Sequence, residues 1–327
     1  MSKKLALVLP YFGSFNNYFP LFLRSCAANP QYDWILVTDQ EIANAPINVH
    51  VINESFNAFR ASVQKSFRFP ISLDRPYKLC DFKPAYGLVM QDELADYEYW
   101  GHCDCDLLFG DMAHFLEPLF DAQYDKVFAA GHLTIYRNTP ENVSRFMKRD
   151  ADGVRLYEIA LSHPEGFAFD EMVYKRNVHT IFVGDGAKLY CKDLSFNVST
   201  RYWNIRREFF DESDGSWKVG EAARYLEWKN GKLVSIEGRT GQTREWLYAH
   251  LQGRNPSLYP GALTADAIAI GPDCIFPAED ASSTERHNSF NLEVLHRAYR
   301  RMKSAIASKD PREFDPYEPY IPEEGRN

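Results

Sequence analysis

The first half of the chain alternates short apolar runs with longer amphipathic stretches. LALVLP (5–10), WILVTD (34–39) and VHVIN (49–53) each read as a β-strand, and segments 17–28 and 54–67 read as helices. This strand–helix–strand order predicts a mostly parallel sheet with right-handed crossovers. Next comes RPYKLCDFKPAYG (75–87), a turn opening into a helix, where Pro84 suits the first helical position. A strand running to Asp106, a helix near 111–120, and the strands KVFAA (126–130) and LTIYRN (133–138) follow. The second half is less regular. GFAFDEMVYKRN (166–177) reads as a loop entering a helix and HTIFVG (179–184) as a strand. ARYLEWKNGKLVSIE (223–237) reads as a hairpin, with Asn230–Gly231 supplying the positive φ angles of a type I′ turn. REWLYAHLQGRN (244–255) carries a further strand. A late helix covers 293–309, and the tail from Asp310, rich in Pro and Glu, is expected to pack loosely.

The fold class that results is α/β: a Rossmann-type mixed, mostly parallel sheet flanked by helices, with a less regular C-terminal half that includes a β-hairpin. We divide the chain into a main domain over 1–255, itself in two halves (1–110 and 111–255), and an extension over 256–327 with one helix and a loose tail.

Composition narrows the partners. With 45% hydrophobic and 15% aromatic residues the chain is too apolar to be disordered. A formal charge of −8 argues against nucleic acid as a partner, since phosphate contact needs a basic face. Six cysteines without a repeated CxxC spacing signal neither a disulfide scaffold nor a zinc ribbon and read as cytosolic thiols. The opening MSKKLALVLPYFG has the lysines and apolar run of a signal peptide, but Pro10 ends the run and no small-residue cleavage site follows. No segment reaches the roughly twenty apolar residues that span a bilayer. The expected location is the cytoplasm.

Candidate chemistry centres on YWGHCDCDLLFGD (99–111). Strand alternation would put His102, Asp104 and Asp106 on one face and Cys103 and Cys105 on the other. Two carboxylates facing one space raise each other's pKa unless a cation lies between them, and a divalent metal is the usual cation. The alternatives are a pair of solvated turn acids, or a zinc site from His102, Cys103 and Cys105, whose ligands alternation would split across two faces. No GxGxxG or GxxxxGK[ST] follows the first strand, which disfavours a dinucleotide-binding domain and a P-loop. Parallel sheets bind ligands at the carboxyl ends of their strands, which marks Pro10–Gly13, with Pro10 and Tyr11 as candidates, Thr38 and Asp39, and the 104–106 region. Thr38 and Asp39 serve equally well as turn residues.

Taken together, the DFKP block, the GHCDCDLLFGD motif, a later Asp170–Glu171 pair and a late histidine in YAHLQGRN resemble the GT-A class of nucleotide-sugar-dependent glycosyltransferases. The resemblance runs over roughly residues 4–255 and implies a GT-A-like fold. It also implies that Asp106 binds Mn²⁺ or Mg²⁺ directly, and that Asp104 binds ribose or reaches the metal through water. YAHLQGRN is similar to the HxxGxxK-type segment of glycogenin-like members, which would make His250 a metal ligand and Arg254 a cation on the diphosphate; the spacing differs and Arg replaces Lys, and a histidine capping a buried strand is the equal alternative. Asp81 and Lys83 fall where the class contacts nucleoside and phosphate, or form a helix-start pair. Asp170 and Glu171 resemble the DE element beside donor sugar and acceptor in retaining members, or are helix N-terminal acids. Gly131 and His132 would line the donor sugar, or His132 is a satisfied core residue.

The reading is a metal-dependent transferase moving a sugar from a nucleoside-diphosphate sugar, UDP-linked, to a hydroxyl of a surface glycan or lipid-linked acceptor, with retaining chemistry slightly favoured. Its rivals are a sugar nucleotidyltransferase, which usually carries a glycine-rich loop that PYFGSFNN lacks, and an inactive glycan-binding protein of the same fold. The helix over 293–309 interleaves Arg and Lys with apolar residues. Such a helix either rests on anionic lipid, placing the protein at the inner face of the membrane, or packs on its own domain.

Overall fold

The apolar runs of the first half form the central sheet. A computed structural model describes residues 3–238, 240–282 and 314–321. Strands β1 (Lys3–Pro10), β2 (Asp33–Thr38), β3 (Val49–Asn53) and β4 (Tyr97–Cys103) run parallel. β5 (Leu107–Phe109) leaves for a second sheet, while β6 (Lys126–Val127), β7 (Leu133–Arg137) and β8 (Leu189–Tyr190) complete the first in the order β3-β2-β1-β4-β7-β6-β8. Only β7 opposes the common direction. The sheet is buried on both faces because alternate residues of β1 feed different cores. Ala6 and Val8 join Phe59, Phe82 and Trp100 on one side, whereas Leu5, Leu7 and Leu9 join Phe22, Trp34 and Leu36 on the other.

The helices are α1 (Phe19–Ala27), α2 (Phe56–Lys65), α3 (Leu79–Phe82), α4 (Tyr86–Val89), α5 (Met112–Asp121), α6 (Pro140–Arg145), α7 (Leu156–Ser162) and α8 (Val178–Gly184). α3 and α4 are joined by a 3₁₀ turn over Lys83–Ala85, so Pro84 opens this tighter turn and the helix starts earlier, at Leu79. The segment expected as the strand HTIFVG is α8. Asn177 caps it by accepting from His179 N and Thr180 N, and Thr180 returns the contact to form a capping box. Buried Val178, His179, Ile181 and Phe182 make a helical stripe, so cap and spacing override the β-branched composition.

The second sheet holds β5 with β9 (Ser195–Val198), β10 (Arg206–Asp211), β11 (Ser216–Ala222) and β15 (Tyr248–His250) in the order β11-β10-β9-β15-β5. The third contains the expected hairpin, β12 (Tyr225–Lys229) and β13 (Lys232–Ile236), turning on Asn230 (φ 50°) and Gly231 (φ 78°). β14 (Thr243–Glu245), β16 (Ser257–Leu258), β17 (Ala267–Ile270) and β18 (Cys274–Pro277) extend it to β14-β13-β12-β17-β18-β16. Trp228, Trp246, Leu226 and Phe196 pack between the second and third sheets.

Two strands end sooner than their apolar runs. KVFAA keeps only Lys126–Val127, because Phe128 takes a left-handed φ of 72° and turns the chain away. The strand before the acids stops at Cys103, leaving Asp104–Asp106 in a turn. Part of the tail packs tightly: Tyr317 is fully buried against the Phe167 ring at 4.9 Å, and Asp315 pairs with Arg176 at 2.7 Å. The basic helix expected over 293–309 lies outside the described residues. All six cysteines are free, and among the described residues no helix is long and apolar enough to cross a membrane.

Candidate active site

Strand order reverses at β1, with β2 and β3 on one side and β4 on the other, so a crevice opens at the carboxyl ends of β1 and β4. The chain turns there. Asp104 N donates to His132 O at 3.1 Å, and Asp106 leads directly into β5. β5 pairs antiparallel with β15, placing His250 opposite Leu107, and Leu251 N continues the ladder to Asp106 O at 3.1 Å. Gln252 (φ 36°) and Gly253 (φ 62°) then bend back so that Gly253 N points to Asp106 Oδ2 at 3.4 Å. One ligand atom from each of Asp104, Asp106 and His250 thereby falls within 4.8 Å of the others. The turn, and not the strand alternation that would have added His102, aims the acids. His102 stays in the sheet beside Val8 of β1, and Cys103 and Cys105 pack in the apolar core.

The other wall comes from the DFKP block and the 166–171 loop. Lys83 Nζ donates to Gly131 O and contacts Asp104 Oδ1, both at 2.8 Å, and lies 3.2 Å from Asp170 Oδ2. One buried ammonium therefore ties the DxD turn to the DE loop. Asp81 fixes that loop: its carboxylate accepts from Phe167 N and Phe169 N and pairs with Lys78 Nζ at 2.8 Å. Gly131 is required by space, since a Cβ there would stand 2.5 Å from Asp170 Oδ2.

Burial opposes charge throughout, and the neighbours decide which groups keep it. At Lys83 the carboxylates of Asp104 and Asp170 outweigh burial and hold the pKa well above the ordinary lysine value. Burial pushes the Asp170 carboxyl up to about 7 against the pull of Lys83, with the Glu171 charge adding to the rise; Glu171 is raised by burial as well. His250 and Asp106 support each other across 3.3 Å. Despite burial the imidazole is raised by Asp106 and the carboxyl lowered by His250. His132 is neutral because burial drives it well below the usual histidine value. Its Nδ1 is 2.8 Å from the Tyr248 hydroxyl, and its Nε2 has no protein partner.

The residues fit a divalent cation. Asp106 Oδ1 and His250 Nδ1 are buried without a hydrogen-bond partner, and two carboxylates with an imidazole are a donor set suited to Mn²⁺ or Mg²⁺.

The cleft has a volume of about 1130 Å³. Its walls bring together Asp104, Asp106 and His250 with Lys83, Asp170 and Glu171, and with Asp81, Gly131 and His132. Other expected residues stand apart. Thr38 is fully buried and accepts from Gln40 N; Asp39 accepts from Gly13 N and the Gln40 side chain. Pro10 ends β1, and Tyr11 turns its hydroxyl to Ser14 O near Cys105 and Asp106. Arg254 donates to the carbonyls of Pro272, Ser199 and Tyr202, so it fastens loops where a diphosphate contact was expected. Asn197, Glu208, Arg201 and Trp217 also line the cleft and escaped the sequence reading. Tyr248, which reaches the site through its 2.8 Å contact with His132 Nδ1, carried a local signal, standing two positions before His250 on the same strand face.

Residues 7–279 match a family described as "Family of unknown function (DUF6625)". No curated protein matches the chain in sequence. Among solved structures the chain is similar to the galactosyltransferase LgtC in complex with donor and acceptor sugar analogs, at 9% identity and a TM-score of 0.32, over 60% of this chain and 76% of that one. It is also similar to apo mouse xyloside xylosyltransferase 1, at 11% identity and a TM-score of 0.37, over 62% of this chain and 89% of that one. The apo glycosyltransferase GlyE of Streptococcus pneumoniae TIGR4 matches at 12% identity and a TM-score of 0.34, over 60% of this chain and 47% of that one.

Proposed function

We propose that this chain, which belongs to the DUF6625 family, is a metal-dependent glycosyltransferase that moves a sugar from a UDP-linked donor to a hydroxyl of a surface glycan or lipid-linked acceptor. The observation that carries this reading is the Asp104–Asp106–His250 cluster, in a switch-point cleft, joined through Lys83 to the acids at 170 and 171. The DFKP, DxD and DE motifs of the sequence support it.

Asp104, Asp106 and His250 would hold Mn²⁺ or Mg²⁺, which supplies Lewis-acid neutralisation of the departing diphosphate. Lys83 orients Asp104 and adds fixed positive charge on the same side of the cleft. Gly131 lets the donor sugar approach the backbone, and the unpartnered His132 Nε2 offers a hydrogen bond to a sugar hydroxyl. Asp170, poised near neutrality, and Glu171 bind donor hydroxyls or take the acceptor's proton. Retaining chemistry, and a cytoplasmic location where UDP-sugars are available, complete the proposal.

The test is a thermal-shift panel of nucleotides and nucleotide sugars with and without Mn²⁺. UDP and a UDP-sugar should raise the melting temperature only when Mn²⁺ is present, since a ligand of the folded state stabilises it by mass action. No shift with any member of the panel in Mn²⁺ would sink the reading.

A further inference from the structure

A second cleft, of about 1070 Å³, opens between the β10–β11 pair and the third sheet. Two stretches of chain run from the active cleft into it. Thr200 and Arg201 line the active cleft, and Trp203 and Asn204 line the second. Ser216 and Trp217, at the start of β11, face the active cleft, while Glu221 and Ala222, at its end, face the second. At roughly 3.3 Å per residue, the step from Ser216 to Glu221 covers about 17 Å. That is too long for one sugar and suits a short chain of them.

The lining has the chemistry of a neutral, hydroxyl-rich ligand. The Trp203 indole is 60% exposed in a protein that buries most of its large aromatics, and Tyr202 beside it is 39% exposed. An exposed aromatic face stacks against the C–H face of a pyranose, giving contact area at low entropic cost. Across the cleft stand Glu237, Asp273 and the Glu221–Arg244 pair at 3.2 Å, with Arg244 laid over the Trp246 ring. These planar groups match the paired hydroxyls of a sugar, and their mixed signs disfavour a polyanion. Asn204 Oδ1 is buried without a hydrogen-bond partner in the same wall and lacks only a donor such as a hydroxyl. Arg254, donating to Ser199 O and Tyr202 O, holds the dividing loop in place.

We infer that this second cleft is the extended acceptor site: it holds the inner sugars of a neutral oligosaccharide whose terminal residue reaches the active cleft past Arg201. The inference rests on the glycosyltransferase reading above. The probe is an immobilised array of defined oligosaccharides, screened with the full chain in Mn²⁺ and UDP, followed by solution titration of the strongest binder and its shorter homologues. Affinity should rise about tenfold or more from monosaccharide to tetrasaccharide. Trp203→Ala should remove that gain while leaving UDP affinity in Mn²⁺ and the melting temperature unchanged, and Glu237→Gln should remove part of it. An array without binders, measured on protein that binds UDP in Mn²⁺, overturns the inference and spares the transferase reading. So does a binder whose affinity ignores Trp203→Ala. A Trp203-dependent binder on protein that fails to bind UDP overturns the acceptor role together with the transferase reading, leaving a glycan site on a protein that is no transferase.

Discussion

Asp81 and Asp106 line the same cleft, yet one is closed and the other open. Asp81, 2% exposed, receives Lys78 Nζ and the amides of Phe167 and Phe169, so its lone pairs are filled by the chain itself. Asp106 receives a long contact from Gly253 N on Oδ2, and its buried Oδ1 has no hydrogen bond, with the His250 ring 3.3 Å away. A folded chain seldom leaves a buried carboxylate oxygen unfilled unless something else fills it. The contrast gives a criterion for this cleft: partner counting, more than burial or position, separates an acid satisfied by the chain from one with an oxygen left to offer.

The largest effect should come from breaking the closed side. Asp81→Ala leaves the Lys78 ammonium, 3% exposed, without its counter-charge and frees the two amides that hold the 166–171 loop. Removing one partner of a buried pair costs about 3–5 kcal/mol. Urea unfolding should show a loss of that size, while UDP affinity in Mn²⁺, per folded molecule, stays near wild type. Wild-type stability in the variant would mean that Asp81 is a ligand residue after all.

Asp106→Ala should behave oppositely. Loss of outer-shell partners typically weakens metal sites by 10–100-fold, so loss of a direct ligand should cost at least about 100-fold in Mn²⁺-dependent UDP affinity, about 2.7 kcal/mol. The melting temperature should fall less than in Asp81→Ala, since Asp106 gives up one 3.3 Å contact to His250 and no short hydrogen bond. Calorimetry showing unchanged UDP affinity with the same metal requirement would remove Asp106 from the site.

The same contrast explains what the sequence disclosed. β1 and β2 were legible because a sheet covered on both faces demands continuous apolar runs, and the Asn230–Gly231 hairpin because its turn needs two positive φ angles. The meeting place of DxD, the DE pair and His250 was legible too: they carry motif spacing, and the structure brings them to one cleft. Closed roles were not. Asp81 acquires its amides from Phe167 and Phe169, and Arg254 its carbonyls from Ser199, Tyr202 and Pro272, partners that only the folded chain supplies. HTIFVG misled because a cap on Asn177 outweighed β-branched composition, and the short strands of the third sheet left little periodicity to read.

Gly131→Ala tests the seam between the two sides. The new Cβ would stand 2.5 Å from Asp170 Oδ2 and 3.0 Å from the Glu171 Cβ, so the DE loop must shift. Overpacking of this kind costs about 1–3 kcal/mol. Turnover should fall while UDP affinity in Mn²⁺ changes little, because the new Cβ meets Asp170 and Glu171 and none of Asp104, Asp106 and His250. A variant with full turnover would show that the close approach of Gly131 to Asp170 has no part in the reaction.

The smallest effect should come from a closed cluster far from the cleft, where Asp33 accepts from Lys3 Nζ at 2.8 Å and Tyr97 OH at 2.7 Å and meets His50 Nε2 at 3.0 Å. Burial alone would raise the Asp33 carboxyl, but the hydrogen bonds from Lys3, Tyr97 and His50 bring it below its ordinary value of 3.8. A carboxyl whose pKa is lower in the folded state than in the unfolded one adds stability above the unfolded pKa and loses it as pH falls through the folded one. The contribution should therefore be complete at pH 7, begin to fade near pH 4 and shrink further below that. Because the cluster is partly exposed and screened by solvent, Asp33→Asn should cost less than about 1 kcal/mol at pH 7. Urea unfolding of wild type and variant at pH 7 and near pH 3 should show the two curves converging in acid, with no difference in UDP affinity at neutral pH. Curves that stay equally far apart at both pH values would mean that the Asp33 charge is not what this closed cluster contributes. The variant's deficit would then have to come from the geometry of the hydrogen bonds alone.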